Sequence, residues 1–394
     1  MTNEDFIRQH REDDVRQLAL TKTPDGIDIK WCLQQIEGWQ LARKKLPKWS
    51  ETEGLYYPPR LSLEQCSSEE TAQYKRSIVT RILPDEMRQN MADLTGGLGV
   101  DFSFMAPLFQ QSTYVEIQPE LCELAHHNMP LLGIKNEKLR IKNGIDLNSS
   151  SFFTLLFSFI YIDPARRDTT GRKTVRISDC TPNLLELQDE LLARTQWMMV
   201  KLSPMLDIHQ ALRELKHVHE VHIVSVRGEC KELIFLCSAK KEASQTTYYC
   251  VNLGTEEDCI TTDVMPYGSP IAEKLQTYLY EPNVSILKAG IQDVLGERYG
   301  IGKLHPQSHL FTGDALVPHF PGRRFRIVGW SDFGKKNLKA LIGDLQQANL
   351  TTRNFPTPVA TLRRQLHLAE GGEAYLFATT LSDGQHILIR CTKA

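Results

Sequence analysis

The sequence predicts an α/β protein built on a seven-stranded, mostly parallel sheet, with a helical region before it and an α+β region after it. Three observations predict this. Between residues 90 and 238, short apolar runs alternate with stretches of helical periodicity, the pattern of a parallel sheet with crossover helices. The first strand-to-helix junction, Asp93-Leu94-Thr95-Gly96-Gly97-Leu98-Gly99, is rich in glycine. Beyond residue 270 the pattern changes to short strands, short helices and a hairpin signal at Ser382-Asp383-Gly384.

The bulk properties set bounds. At 394 residues the chain exceeds one ordinary domain. Hydrophobic residues make up 41% and charged residues 24%, enough apolar material for a large core. The net charge of −2 hides an asymmetry. Residues 321–394 carry 11 Lys and Arg against 5 Asp and Glu, so the rest of the chain is acidic. A basic segment on an acidic body fits a polyanionic partner, or simply a solvated face. Nine cysteines without a C-x-x-C pair fit reduced thiols and a cytoplasmic protein. The start, MTNEDFIRQHREDD, is too polar for a signal peptide. The longest apolar run, Phe152 to Ile162, is too short to span a membrane, so no membrane association is expected.

Taken in order, residues 1–50 are helical, with Ile7, Val15, Leu18 and Leu20 at loose helical spacing. A second stripe, Trp31, Leu33, Ile36, Trp39 and Leu41, is ended by Pro47. After Tyr56-Tyr57-Pro58-Pro59, Ser67 or Ser68 caps a helix that carries Glu69 and Glu70 in its first turn and runs toward Leu83. A strand ends at Asp93, and an apolar helix opens past Gly99. Strands follow at Ser112–Glu116, Arg140–Lys142, Phe157–Ile162, Trp197–Leu202, Val221–Arg227 and Leu233–Ser238. Helices fall between them, one opened by Pro119, where proline is tolerated. Gly254 to Pro270 is a connection. Helices are expected at Ala272–Leu279, Ile286–Tyr299, Lys336–Ala348 and Thr361–Leu368. Strands are expected at Phe325–Val328, Thr351–Phe355, Tyr375–Leu381 and His386–Cys391.

Chemistry gathers where strands end. In parallel sheets ligands bind outside the carboxyl ends of the strands. Asp93, Glu116, Asp146 and Asp163 each close a predicted strand. The turn reads D-x-x-x-G-x-G through Asp93, Gly97 and Gly99, with Phe102 where a dinucleotide fingerprint needs a third glycine. An acidic residue ahead of the glycines suits a ligand with a positive end. S-adenosylmethionine (SAM) carries a sulfonium and an ammonium, so a methyltransferase is the expectation. His217-x-His219-x-x-His222 straddles a loop and a strand, a poor metal spacing, and no metal is expected.

These residues resemble the class I SAM-dependent methyltransferases over roughly residues 63–240, which implies a Rossmann-like core. The resemblance rests on Asp93-x-x-x-Gly97-x-Gly99, Glu116, Gly144-x-Asp146 and Asp163-Pro164-Ala165-Arg166. Ala125-His126-His127-Asn128 with Gly133 is similar to a helix of RNA methyltransferases. Gln65–Tyr74 is similar to the helix before the glycine turn in trimethylguanosine-synthase-like enzymes. The whole looks closest to a bacterial group with an Asp-Pro-Ala-Arg-Arg signature and a THUMP-like C-terminal domain.

The resemblance implies four regions: 1–75 helical, 76–250 the methyltransferase domain, 251–320 a connection with a small ferredoxin-like unit, and 321–394 the THUMP-like domain. It implies a cofactor site of Asp93, Gly97, Gly99, Glu116, Ile117 and Asp146, with Glu116 on the ribose and Asp146 on the adenine. Asp163, Pro164 and Arg166 then form the transfer site. Asp163 orients the acceptor or acts as a weak base, and Arg166 and Arg167 bind substrate phosphate or local acids. Lys201-Leu202-Ser203-Pro204 could line the same cleft, and Arg227–Glu232 is a weaker candidate.

Structured RNA, a tRNA or rRNA, is the implied substrate, with a base nitrogen as acceptor. Arg323, Arg324, Arg326, Lys335, Lys336 and Arg353 would contact phosphate. The sequence departs from the N/D-P-P-Y/F/W pattern of amino-group methyltransferases, because Ala165 replaces the second proline and Arg166 the aromatic that stacks on a target base. Cys180 is the nearest nucleophile for uracil-C5 chemistry, and nothing marks it as activated. A protein or small-molecule acceptor, or RNA binding without catalysis, are the alternatives.

Overall fold

The computed structural model describes residues 1–135, 139–143, 156–166, 176–240, 245–257, 259–263, 268–343 and 345–394; of residues 141–143 and 166 only the backbone is described. The apolar runs of the central segment pair as strands β1 Asn90–Asp93, β2 Gln111–Glu116, β3 Leu139–Asn143 and β4 Phe157–Ile162. After the two-residue strands β5 Ala165–Arg166 and β6 Cys180–Thr181 come β7 Thr195–Leu202, β8 Val218–Val226, β9 Glu229–Cys237, β10 Thr247–Leu253 and β11 Ile260–Thr262. Nine of these form one sheet in the order β11-β10-β8-β9-β7-β4-β1-β2-β3, while β5 and β6 pair separately. The chain order reverses beside β1, whose parallel neighbours are β2 and β4, so the crevice for a ligand opens at their carboxyl ends.

The sequence reading of seven strands is therefore two short. Residues 247–253 and 260–262, the latter inside the expected connection, pair antiparallel as an edge hairpin. Tyr248, Cys250 and Val251 are buried, which periodicity over so few residues does not announce.

The chain divides into two compact units, Met1–Glu220 with Leu233–Ser244, and Val221–Glu232 with Gln245–Ala394. In the first, the N-terminal helices are α1 Asn3–His10, α2 Val15–Leu18, α3 Ile29–Lys45 and α4 Pro47–Ser50. Phe6, Leu18, Cys32 and Ile36 are their shared core. Pro47 opens the short α4 after α3 has ended, as a first-turn proline can. Helix α5 spans Arg60–Gln65 and α6 Glu69–Ile82. Ser68 is the α6 cap, accepting the Thr71 N–H. Helix α7, Val100–Met105, follows the glycine turn and is buried along its whole length. It packs with Trp49, Leu55 and Tyr57, and Trp49 Nε1 donates to Ser103 Oγ at 3.2 Å. Pro119–Leu131 is α8, Leu184–Arg194 α9 and Ile208–Glu214 α10.

The second unit also holds a seven-stranded sheet. Its strands are β12 Tyr278–Pro282, β13 Gly302–Lys303, β14 Phe311–Gly313, β15 Gly322–Asp332, β16 Asn349–Arg353, β17 Tyr375–Thr380 and β18 His386–Lys393. Their order is β13-β14-β12-β15-β18-β17-β16. β17 and β18 form the hairpin expected around Asp383-Gly384, with Gly384 at φ +87°.

Two helix expectations are corrected here. Ala272–Leu279 is not helical, and its end belongs to β12, where Leu279 and Tyr280 are fully buried between β14 and β15. Pairing on both sides overrides a local helical pattern. Ile286–Tyr299 is two helices, α11 Val284–Ala289 and α12 Val294–Tyr299, because Gly290 adopts the left-handed conformation that ends the first. Helices α13 Lys335–Ile342 and α14 Val359–Leu366 complete the unit. Among the described residues no helix is long and apolar enough to cross a membrane.

Candidate active site

The glycine turn is held by what flanks it. Gly97 and Gly99 both have positive φ, +57° and +81°. A Cβ on Gly99 would stand 2.2 Å from Met129 Cε, and one on Gly96 would stand 2.1 Å from the Tyr114 ring. Space over Gly97 is open, with nothing nearer than the Thr95 carbonyl at 3.8 Å. Three glycines are thus needed for three reasons: packing at 96, packing and φ at 99, and φ beside open space at 97. The Tyr114 hydroxyl donates to the Gly97 carbonyl and ties the turn down from below.

Glu116, at the end of β2, is 7% exposed and accepts three backbone N–H groups. Gly97 N–H donates to Oε2 at 2.7 Å, and Ile117 and Gln118 N–H to Oε1 at 2.9 Å each. A carboxylate has about four acceptor positions, so one remains. Ile117, directly after it, is 71% exposed. Asp93, at the end of β1, is 1% exposed. Its Oδ1 accepts the Thr95 N–H at 3.0 Å, and burial holds its carboxyl well above the usual carboxylate range.

Asp163, past the end of β4, completes the set. Its N–H donates to Thr95 Oγ1 at 2.6 Å, so Thr95 links Asp93 and Asp163. Its Oδ2 is 2.6 Å from the Nζ of Lys201, near the end of β7. Burial raises the Asp163 carboxyl and Lys201 lowers it, for a net upward shift. Its side chain is 38% exposed, which limits how far burial can act.

Beneath these lies an ion pair that the sequence reading did not single out. Lys75 of α6 is fully buried, and its Nζ is 3.1 Å from Asp101 Oδ1 on α7. Tyr161 Oη and Ser67 Oγ donate to Asp101 Oδ2 at 2.6 and 2.7 Å. Burial pushes the Asp101 carboxyl up, but Lys75, Lys201, Tyr161 and Ser67 outweigh it, and its pKa is lowered. Of the two serines before α6, one caps the helix and the other, Ser67, serves this pair. A lysine on the inner face of an amphipathic helix was the available signal, because a buried lysine needs a partner.

Of the expected site, Asp93, Gly97, Gly99, Glu116 and Asp163 come together, with Ile117 and Pro164 beside them. Ala165 and Arg166 pair with Thr181 and Cys180 as the small β5–β6 ladder. Asp146 and Arg167 lie outside the described residues, as does the Arg166 side chain. His219 bonds the Ser238 carbonyl and His222 stacks on Tyr249. In the second unit, Arg323 and Arg353 both meet the buried carboxylate of Glu281, and Arg324 donates to the Pro318 carbonyl. Those three guanidinium groups are engaged within the unit.

A parallel sheet with a glycine turn after β1 and acids at successive strand ends defines a nucleotide-cofactor enzyme of the α/β class. Residues 322–393 match the THUMP domain-like family and residues 278–321 a ferredoxin-like domain family. A crystal structure of an inferred methyltransferase from Porphyromonas gingivalis W83 is similar over the whole chain and 97% of its own, at 33% identity and a TM-score of 0.84. Two uncharacterized S-adenosylmethionine-dependent methyltransferases of Mycobacterium tuberculosis, from strains CDC 1551 and H37Rv, are 26% identical over 278 residues, 70% of this chain and 73% of theirs. The chain belongs to the methyltransferase family of the P. gingivalis protein. It is a SAM-dependent methyltransferase with ferredoxin-like and THUMP-like C-terminal domains. The residues fit that cofactor: a buried acid whose Oδ1 accepts the Thr95 N–H, open space over Gly97, and an exposed apolar side chain beside Glu116.

Proposed function

We propose that the protein methylates structured RNA, a tRNA or rRNA, with SAM as methyl donor. The observation that carries this reading is a THUMP-like domain on the same chain as a methyltransferase sheet. THUMP domains bind RNA, and residues 321–394 carry 11 Lys and Arg against 5 Asp and Glu. Arg326, Lys335 and Lys336 are its phosphate-binding candidates. Arg323, Arg324 and Arg353 first serve Glu281 and Pro318. The stretch Gln65–Tyr74, which passes from the end of α5 into α6, supports the finer likeness to trimethylguanosine-synthase-like cores, and Asp-Pro-Ala-Arg-Arg the likeness to the bacterial group that carries that signature. A cytoplasmic location accords with an RNA substrate.

Bound SAM supplies an electrophilic methyl group on a sulfonium. The chain's residues bind and orient. Asp93 meets the ammonium end, and the open backbone at Gly97 lets the methionine part approach. Glu116 offers its remaining acceptor position to the ribose, and Ile117 gives the adenine an apolar face. Asp163 and Pro164 mark where the acceptor sits. Transfer from a sulfonium needs in-line placement more than acid–base help, so rigid attachment of Asp163 to Thr95 is the relevant feature. The test is incubation with tritiated-methyl SAM and total RNA from a strain lacking the gene. Label in a discrete RNA supports the reading, and label only in protein or small molecules refutes it.

A further inference from the structure

Among the described residues, the group facing Asp163 is a cation, Lys201 Nζ, at 2.6 Å. Methyl transfer to a neutral nitrogen places positive charge on that nitrogen as the bond forms. A lysine beside it would oppose the reaction. Transfer to a hydroxyl makes the opposite demand, because the oxygen must shed its proton and passes through a state with negative character. A fixed ammonium stabilises that state. Asp163 alone fits a base nitrogen, the acceptor expected from sequence. Asp163 with Lys201 fits an oxygen.

A further observation agrees. Lys75 and Asp101 set a second ion pair close by, and Lys201 bears electrostatically on both acids. The Asp163 carboxylate holds the Lys201 side chain where it stands.

We propose that the acceptor is a hydroxyl oxygen, the ribose 2′-hydroxyl of the RNA, with Lys201 holding its developing charge and Asp163 taking its proton. This rests on the RNA reading above. An oxygen lone pair forms the new bond to the methyl carbon as the carbon–sulfur bond breaks. The electron pair of that bond stays on sulfur, and the hydroxyl proton passes to an Asp163 oxygen and then to solvent. The Lys201 ammonium is unchanged in charge throughout.

The product decides the matter. RNA labelled by the full-length protein with tritiated-methyl SAM is hydrolysed in alkali. A 2′-O-methyl group blocks cleavage at its own phosphodiester, so the expected label runs as alkali-stable dinucleotides. Label in mononucleotides carrying a methylated base overturns the oxygen acceptor and leaves the RNA reading standing. Absence of label from RNA, with SAM binding confirmed, overturns both. Lys201→Met is expected to lower kcat about 10²–10³-fold without changing SAM affinity, with Lys201→Arg retaining part of the activity. Circular dichroism checks that both variants fold, and an undiminished kcat in folded Lys201→Met overturns the role of Lys201.

Discussion

Replacing Glu116 by glutamine tests the cofactor site with almost no change of shape. The wild-type carboxylate accepts N–H groups on both oxygens, Gly97 on one and Ile117 with Gln118 on the other. A glutamine amide has one accepting oxygen and one NH₂ that only donates. Turned either way, it points a donor at a backbone donor: at Gly97 in one orientation, at Ile117 and Gln118 in the other. The turn must open or the side chain must leave. Hydrogen bonds to a charged group contribute about 1.5–3 kcal/mol. Losing the bond to Gly97, which sets the open approach to the turn, should therefore weaken SAM binding by a similar amount. That is roughly 10- to 150-fold in Kd by calorimetry, at about 1.4 kcal/mol per tenfold. Glu116→Ala should fall in the same range, because it removes the same acceptors and lets water reach the freed N–H groups. A glutamine variant that binds SAM as tightly as wild type would refute the reasoning, since no amide orientation satisfies all three donors.

Asp163→Asn should abolish methyl transfer while leaving SAM affinity nearly intact, and a variant that still turns over would remove Asp163 from the transfer site. Transfer should also fail on acidification at a pH above the ordinary carboxylate range, because the Asp163 carboxyl is raised and must be ionised to take a proton; a flat rate profile down to pH 4 would contradict this. Lys75→Met strands the buried Asp101 carboxylate and should cost about 3–5 kcal/mol in denaturant unfolding, with Lys75→Met/Asp101→Asn recovering much of it. The Asp101 pKa is lowered on folding, so its contribution is complete above the unfolded value of 3.8 and is lost as pH falls through the folded value; the double variant should lack that loss. Reversing Arg326, Lys335 and Lys336 to glutamate should weaken RNA binding and flatten its dependence on salt by about 0.7–0.9 log units per lost phosphate contact, and an unchanged salt slope would exclude these three.

The sequence by itself determined the order of the main-sheet strands through residue 238, though not the two-residue β5 and β6. It marked the glycine turn and the acids that close the strands, because period-2 and period-3.6 patterns and glycine content are local properties. The turn chemistry at Asp383-Gly384 was legible for the same reason. The sequence did not show that 247–253 and 260–262 are strands, or that 272–279 is not a helix. Those segments are decided by neighbouring strands that are remote in the chain. Nor did it single out Lys75 and Asp101, 26 positions apart, or assign Lys201 to Asp163 across 38 positions. Each of those lysines could have been a solvated surface charge. Only packing α6 on α7, and β4 beside β7, buries the charges and forces each to find its opposite.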